Sequence, residues 1–358
     1  MQMTLHTALC EQFGIRYPLF LAGMAGGPST PELTAAVSEA GGLGTLGAAY
    51  MAPEDIRIAI RSIRELTAAP FGVNLFVNQP ADHNKRTREV QDKLNAFREQ
   101  LGIPDSEGNE IHSPDWFERQ FEVLMEEKVP VISTAFGVLP EPQMQKAKSS
   151  GIKIVAMVTT VREALLAEEK GCDAVVAQGS EAGGHRGTFG VDVHPMGANI
   201  GTMALVPQIA DRVSIPVIAA GGIMDGRGLA AALVLGAQGV QLGTRFLTSL
   251  EAGTNAAYRT ALLASNEEST VITDAFSGRP ARGIKNGFVQ QWEAGGIPPL
   301  PFPTQNTATR DIRNAASKQQ KADYLSLWAG QGTRMLTDGQ SARQIVEEII
   351  SQAAALTK

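Results

Sequence analysis

The sequence predicts a single α/β domain folded as a (β/α)8 TIM barrel, and three observations support this. Eight short apolar runs, each bounded by glycine or proline, alternate with segments of helical character. The runs are almost continuous in valine, isoleucine, leucine, alanine and phenylalanine, as in parallel strands that are buried on both faces. The length of 358 residues suits one barrel with insertions. A doubly wound open sheet remains the alternative, because the sequence does not show closure.

The predicted strands follow one another in regular order. Intervening segments such as TPELTAAVSEAGG and DGRGLAAALVLGAQ begin with a helix-capping residue and end near glycine, which is typical of helices. The chain therefore contains eight βα units. The strands are expected at residues 18–23, 42–48, 71–77, 129–136, 153–158, 174–179, 215–221 and 239–246.

Two connections are longer than one crossover helix requires. Residues 78–128, after the third strand, are charged and contain a turn-rich segment, so we expect an insertion with an extra helix that covers the barrel mouth. Residues 251–338 predict a helical extension that either packs on the outside of the barrel or forms a lid over the active-site face. We therefore divide the chain into a barrel (1–250), this extension or lid (251–338) and a closing C-terminal helix (339–358).

Composition excludes several classes of protein. Hydrophobic residues make up 43% of the chain and charged residues 19%, which favours a compact globule over disorder. The 31 basic and 37 acidic residues give a net charge of -6 without a basic cluster, so nucleic acid is not an expected partner. No signal peptide is recognisable and no run reaches the roughly 18 apolar residues of a membrane span. Together with only two cysteines, these features predict a cytoplasmic protein without a membrane partner.

Glycine-rich turns follow the last two predicted strands. In barrel enzymes, the loops after strands seven and eight commonly form a phosphate site. Gly221 and Gly222 would allow the backbone to approach a phosphate closely, and Gly243 with Thr244 would form the other half of the cradle. No GxGxxG motif follows the first strand, which favours a mononucleotide or sugar phosphate over a dinucleotide. The alternative is that these are tight turns without a ligand.

The loop after the sixth strand carries the best catalytic candidate. In AQGSEAGGHRGTFG, His185 lies among small residues that offer little bulk to pack it, so we predict a catalytic or substrate-orienting role. Gln178 is expected to point from the strand end toward the ligand. An imidazole with an ordinary pKa near 6.5 would suit acid-base or charge-stabilising chemistry.

Further candidates end the first and third strands. Gly23 and Met24 close the first strand, and Asn74 lies within the apolar run GVNLFV. An amide buried in a strand is costly unless it is hydrogen-bonded, so Asn74 either pairs with backbone or faces a ligand. No group of His, Cys and carboxylate residues has metal-ligand spacing, and no GxSxG motif indicates a serine hydrolase.

At this point the sequence resembles a known family. The segments AGMAGG, GVNLF, AQGSEAGGHRG, IPVIAAGGIMDGRG, VQLGTRF and YLSLWAGQG, in this order over most of residues 15–335, resemble the nitronate monooxygenases, formerly called 2-nitropropane dioxygenases. The barrel motifs are shared with a sister family, the FMN-dependent enoyl-acyl-carrier-protein reductases. The long insertion and the late YLSLWAGQG segment favour the nitronate monooxygenases.

The resemblance implies a barrel that holds FMN noncovalently, with His185 over the flavin. Gly23 and Met24 would lie along the isoalloxazine, and Asn74 and Gln178 would hydrogen-bond to it. The residues expected to hold the ribityl chain and phosphate are Gly184, Gly221, Gly222, Gly243 and Thr244. Substrate contacts are expected from Tyr324, Trp328 and Gln331, unless these belong to a stripe that packs a terminal helix.

The implied activity is FMN-dependent oxidation of alkyl nitronates, such as propionate 3-nitronate, by O2 to a carbonyl compound and nitrite through a flavin semiquinone. The partners would be a small-molecule nitronate and O2, and the protein would be a monomer or a homodimer. The first alternative is an NAD(P)H-dependent FMN reductase acting on enoyl thioesters or quinones. A flavin- or phosphate-binding barrel without catalytic activity is a third possibility.

Overall fold

The computed structural model describes residues 5–77, 86–106 and 110–356. Within these residues, eight parallel strands form a barrel, and each lies inside a predicted range, so the predicted strands are confirmed. Three further strands form a small separate sheet. The barrel strands are β1 (Leu19–Leu21), β2 (Gly44–Gly47), β3 (Phe71–Phe76), β4 (Val131–Ala135), β5 (Lys153–Val158), β6 (Ala174–Gln178), β8 (Val217–Ala220) and β9 (Gly239–Leu242); the small sheet contains β7 (Gly184–His185), β10 (Thr270–Thr273) and β11 (Ala281–Ile284).

The barrel is closed by contacts that β1 makes on both of its edges. On one side β1 pairs in parallel with β9, with Leu19 opposite Val240. On the other side, the Leu21 N–H donates to the carbonyl oxygen of Leu43 at 2.8 Å, and the Leu43 N–H donates to that of Leu19 at 2.8 Å. The strands between these edges pair in the order β9, β8, β6, β5, β4, β3 and β2. The structure therefore confirms the barrel and rules out the open sheet.

Helices follow the strands and begin where the sequence supplies caps. The Thr30 side chain accepts a hydrogen bond from the Leu33 N–H, and Asp225 accepts from the N–H groups of Arg227 and Gly228. The helices of the described residues are α1 (Ala8–Phe13), α2 (Pro31–Glu39), α3 (Pro53–Leu66), α4 (Thr87–Leu101), α5 (Phe117–Glu126), α6 (Glu141–Ser149), α7 (Val161–Glu169), α8 (Thr202–Ala210), α9 (Gly226–Val234), α10 (Ala256–Ala264), α11 (Gly287–Ala294), α12 (Thr304–Ala308), α13 (Arg310–Lys318) and α14 (Ala342–Leu356).

Apolar side chains fill the barrel interior toward its amino end. Phe20, Val155 and Ile218 belong to a buried cluster that also contains Leu9 and Phe13 of α1. The rings of Phe13 and Phe20 meet edge to face at 5.3 Å. Because α1 covers this end of the barrel, the carboxyl ends of the strands are left for binding a ligand.

The predicted insertion and extension pack against each other. The ring of Phe97 on α4 lies 4.5 Å from that of Phe288 on α11. The buried Arg98 donates to Asp311 at 2.8 Å and to the carbonyl oxygen of Ala308 at 3.0 Å. Helix α4 of the insertion therefore lies on the extension, whereas α5 packs on α3. Residues 78–85 and 107–109 of the predicted insertion lie outside the described residues.

The last helix joins the outer ring of the barrel. Helix α14 packs between α9 and α2, and the Gln352 side chain accepts a hydrogen bond from the Gly226 N–H at 3.0 Å. The preceding extension returns to the carboxyl end of the barrel, where the Gly330 N–H donates to the Thr244 hydroxyl oxygen at 2.9 Å. This route brings residues of the extension to the candidate site.

Candidate active site

A cavity of about 350 Å³ opens at the carboxyl ends of the barrel strands. This volume and position are those expected of a small-molecule site in a barrel enzyme. The structure brings together eleven of the residues predicted from sequence, all of which line this cavity: Gly23, Met24, Asn74, Gln178, Gly184, His185, Gly221, Gly222, Gly243, Thr244 and Trp328.

The turn after β8 has the geometry of an anion cradle. Gly221 and Gly222 have φ values of +119° and +70°, which side chains rarely adopt, and a Cβ on Gly221 would lie 2.8 Å from the Thr202 hydroxyl oxygen. Among the described residues, no acceptor is bonded to the N–H of Gly222 or Ile223. These two N–H groups lie beside the cavity and are available to a ligand.

The start of α9 itself is already occupied by side chains of the protein. Asp225 accepts hydrogen bonds from Arg227 and Gly228, and Gln352 accepts one from Gly226. An anion in the cavity would therefore be held by the glycine turn before the helix. The second half of the cradle is Gly243 and Thr244, at the start of a short 3-10 helix, Thr244–Phe246.

Two amide side chains line the cavity while connecting neighbouring elements. Gln178 donates to the carbonyl oxygen of His185 at 2.9 Å and accepts from the Gly187 N–H at 2.8 Å. Asn74 donates to the Ser133 hydroxyl of β4 at 3.0 Å. Both polar atoms of the Gln178 side chain therefore hydrogen-bond to the loop that carries His185. Asn74 pairs with a side chain rather than with backbone.

The end of β1 lies very close to β3. A Cβ on Gly23 would lie 2.4 Å from the Cβ of Asn74, so a side chain at this position would displace the strand end. The Met24 N–H donates to the Ser29 hydroxyl at 2.8 Å, which fixes the backbone of this turn. The first strand therefore presents a flat, glycine-containing wall to the cavity.

His185 lies in β7, which pairs antiparallel with β11, and its ring is held by Ser277. The His185 Nε2 and the Ser277 Oγ share a hydrogen bond of 2.9 Å, and Ser277 also donates to the carbonyl oxygen of Arg279 at 3.0 Å. Because the serine has one proton, donation to Arg279 leaves its oxygen as the acceptor for an Nε2–H. In this arrangement Nδ1 carries the free lone pair of the imidazole.

The pKa of His185 departs from the ordinary value expected from sequence. Burial has the largest effect and the positive charges of Arg279 and Arg313 act in the same direction, so that together they lower the pKa from 6.5 to about 3. The imidazole is therefore neutral at physiological pH. A cationic His185, one of the two forms that an ordinary pKa would have allowed, is not supported.

Four aromatic rings surround the His185 side chain, which is half-buried at the cavity. The His185 ring centroid lies 5.8 Å from that of Phe76, 5.7 Å from Phe136, 6.0 Å from Phe302 and 5.4 Å from Trp328. Such rings exclude water and offer no carboxylate to stabilise an imidazolium. These four rings are called the aromatic cage of His185. Behind Phe136, the guanidinium carbon of Arg279 lies 3.9 Å from the ring centroid.

Sequence reasoning did not identify several of these groups. Phe76 and Phe136 lie at the ends of predicted strands, so the sequence could have placed them at the active face. Ser277, Arg279 and Phe302 come from the extension, which has no periodic pattern that would place individual side chains. Only the structure brings them to His185.

The three residues predicted to contact substrate differ in their placement. Trp328 lines the cavity and belongs to the cage. Tyr324 does not line it: the hydroxyl bonds to Gln100 and the ring packs against Phe97, because this residue lies where α4 meets the extension. Gln331 does not line it either, and its backbone N–H donates to the carbonyl oxygen of Glu181 at 3.0 Å.

Within the described residues, no group of three or more His, Cys, Asp or Glu side chains is arranged to hold a metal ion. No helix of the described ranges has the length and apolar character needed to cross a bilayer.

Together, the fold and the cavity define a (β/α)8-barrel enzyme whose candidate catalytic histidine lies beside a glycine-rich cradle. The sequence profile described as nitronate monooxygenase matches residues 6–352. The chain belongs to this family, and it is therefore an oxidoreductase.

Individual relatives agree with this membership. The chain is 42% identical to a probable nitronate monooxygenase of Staphylococcus haemolyticus, over 99% of both chains, and 42% identical to one of Staphylococcus aureus, over 96% of both. Among solved structures, it is similar to the nitroalkane oxidase of Streptomyces ansochromogenes, with a TM-score of 0.89 and 37% identity over 98% of both chains. FabK of Thermotoga maritima gives a TM-score of 0.79 and 32% identity, over 99% of this chain and 97% of FabK.

Proposed function

We propose that the protein binds FMN noncovalently at the barrel mouth and oxidises alkyl nitronates, such as propionate 3-nitronate, with O2 to a carbonyl compound and nitrite. The observation that carries this proposal is the neutral, caged His185 beside a cradle of unpaired backbone N–H groups, in a chain of the nitronate monooxygenase family. The cage and the cradle lie in the same cavity.

The residues of the cavity fit FMN. Gly221, Gly222, Gly243 and Thr244 would hold the phosphate, since the backbone approaches closely there and the N–H groups of Gly222 and Ile223 are available. Gly23, Met24, Asn74, Gln178 and Gly184, which line the same cavity, would border the ring system and ribityl chain. When bound, FMN supplies an acceptor for electrons from the substrate.

His185 would orient the substrate and exclude water with its aromatic neighbours. A nitronate is already a carbanion equivalent, so its reaction does not require a base. A neutral nitroalkane would have to lose an α-proton, and an imidazole with a pKa of about 3 is a weak acceptor for it. The geometry and charge of the site therefore favour the nitronate anion over the nitroalkane as substrate.

The histidine also has no charge that must be neutralised before substrate binds. With Nε2 bonded to Ser277, the imidazole is fixed in orientation relative to the cavity. If the Ser277 hydroxyl instead donates to Nε2, the neutral imidazole carries its own proton on Nδ1. Nδ1 would then donate to a nitro oxygen. Ser277 would in this way permit the neutral imidazole to act as a hydrogen-bond donor.

The second candidate is an NAD(P)H-dependent FMN reductase acting on enoyl thioesters or quinones. The similarity to FabK, an enoyl-acyl-carrier-protein reductase, supports it. The two activities differ in the electron donor. NADH would bleach the flavin of such a reductase rapidly under anaerobic conditions, whereas the flavin of a nitronate monooxygenase would be reduced by the nitronate.

The test uses the protein as purified. Its visible absorbance should show FMN, released on denaturation, and aerobic addition of propionate 3-nitronate should consume O2 and form nitrite. A colourless protein that does not bind added FMN would contradict cofactor binding. Bound FMN without turnover of any nitronate or any NAD(P)H-dependent reaction would instead indicate a barrel without catalytic activity.

A further inference from the structure

We propose that Arg313 and Tyr50 form a subsite for a carboxylate at the end of the substrate remote from the reacting carbon. This inference rests on the proposed function, and it names the class of nitronate that the site selects. Both residues line the same cavity as His185. Sequence analysis identified neither of them.

The guanidinium of Arg313 is incompletely paired. It projects from α13, and one Nη donates to the carbonyl oxygen of Asn306 at 2.6 Å and to its side-chain oxygen at 2.9 Å. Its Nε is buried without a partner among the described residues. Burial lowers the pKa of Arg313, but a guanidinium remains charged. The cavity wall thus contains a cation with an unused donor.

The hydroxyl of Tyr50 is a second unused donor. It is buried and has no hydrogen-bond partner within the described part of the chain. Burial raises the pKa of Tyr50 to about 12, so the hydroxyl keeps its proton. Its ring packs edge to face on Phe76 at 5.5 Å, which places it next to the cage. Arg313 is close enough to lower the pKa of both Tyr50 and His185.

Within the described residues, no acidic side chain of the cavity wall is free to balance Arg313. Among the described residues that line the cavity, the only carboxylate belongs to Glu181, which accepts hydrogen bonds from the N–H and hydroxyl of Thr202. The neighbouring Asp311 bonds to Arg98 at 2.8 Å. A buried donor without an acceptor is costly, so an anionic group of the ligand would pair with the Arg313 Nε and the Tyr50 hydroxyl.

A carboxylate suits these two donors better than a phosphate does. It is planar and can accept from a guanidinium and from a phenol at the same time. The phosphate of FMN is already assigned to the cradle after β8 and β9, among different residues. The remaining anion is therefore part of the substrate, and the site selects nitronates of short carboxylic acids over uncharged alkyl nitronates.

The kinetic test compares propionate 3-nitronate with propyl-1-nitronate, which has no carboxylate. Arg313→Gln should lower kcat/KM for propionate 3-nitronate by about 100-fold, mainly through KM, and by less than about 10-fold for propyl-1-nitronate. Tyr50→Phe, which removes only the hydroxyl, should lower the former by about 10-fold. The matched control, Lys318→Gln, alters an exposed cation at the end of the same helix and should change neither.

A binding experiment tests the subsite independently of the oxidation reaction. Succinate has the shape of propionate 3-nitronate and butyrate that of propyl-1-nitronate, and neither is oxidised. Titration calorimetry of the flavin-loaded protein should show tighter binding of succinate than of butyrate, and Arg313→Gln should weaken succinate about 100-fold. Flavin content and the circular dichroism spectrum report whether the variants fold.

The outcomes separate the two proposals. If no nitronate is oxidised, the proposed function fails, while a dependence of succinate binding on Arg313 still supports the subsite. The subsite is wrong if Arg313→Gln leaves the affinity for succinate unchanged, or if it lowers kcat/KM equally for both nitronates. It is also wrong if Tyr50→Phe and Arg313→Gln leave both measurements unchanged.

Discussion

Replacement of His185 by asparagine should make the stability of the protein less sensitive to acid. Burial in the aromatic cage lowers the pKa of this imidazole from 6.5 to about 3. Below pH 6.5 the unfolded chain therefore binds a proton that the folded chain does not bind. The contribution of His185 to stability is fully present above this pH and is lost progressively as the pH falls toward 3.

The size of the effect follows from the difference between the two pKa values. A pH of about 5 lies about 1.5 units below the pKa of the histidine in the unfolded chain, and each unit corresponds to about 1.4 kcal/mol of stability. The folded histidine is still neutral at this pH. His185 should therefore reduce the free energy of unfolding of the wild type by about 2 kcal/mol between pH 7.5 and pH 5.

Urea denaturation at these two pH values measures the effect. Wild type and His185→Asn each give a difference in free energy of unfolding between the two conditions, and the wild-type difference should be larger by about 2 kcal/mol. Because the two pH-dependent differences are compared, any change in the free energy of unfolding that the substitution causes equally at both pH values cancels. The control is His112→Asn, since His112 lies exposed in the insertion. Equal differences for wild type and His185→Asn would refute a neutral, buried His185.

Three further predictions concern the histidine's partner, the cradle and the packing of the insertion. Ser277→Ala should lower kcat/KM for a nitronate by about 10-fold because the imidazole loses its anchor, whereas Ser277→Thr should retain most activity; equal values for both variants would show that the hydroxyl has no positioning role. Gly222→Ala introduces a side chain at a φ of +70° and should weaken FMN about 10-fold, measured by flavin fluorescence. Gly151→Ala has similar backbone strain far from the cavity, so equal FMN affinity of the two variants would contradict the cradle. Arg98→Ala should lower the free energy of unfolding by about 3 kcal/mol in urea, unlike the exposed Arg88→Ala, and a similar small loss in both would contradict a structural role for Arg98.

The parts of the molecule that sequence predicts well are those that repeat. Each barrel strand is a short apolar run because both of its faces are buried, and the runs located all eight. The catalytic candidates follow from the same regularity. Residues at or after the carboxyl end of a barrel strand lie at the active face, so the sequence places Asn74, Gln178, His185 and the glycine turns there.

The parts that sequence did not predict depend on packing between distant segments. Helix α4 resembles any charged surface helix, and only the buried contact of Arg98 with Asp311 shows that it lies on the extension. Tyr324 and Trp328 are aromatic residues four positions apart, but one faces α4 and the other faces the cavity. The pKa of His185 is lowered by burial among rings from four separate segments and by the charges of two arginines, none of which the residue type of His185 indicates.

The apolar plug at the amino end of the barrel limits how molecules reach the flavin site. Leu9, Phe13 and Phe20 fill the interior on that side, so no tunnel runs through the described part of the barrel from one end to the other. Within the described residues, a molecule that binds in the cavity therefore enters and leaves at the carboxyl end of the strands, close to Trp328. Substrate and product use the same route, so the product of one turnover has to leave before the next substrate binds.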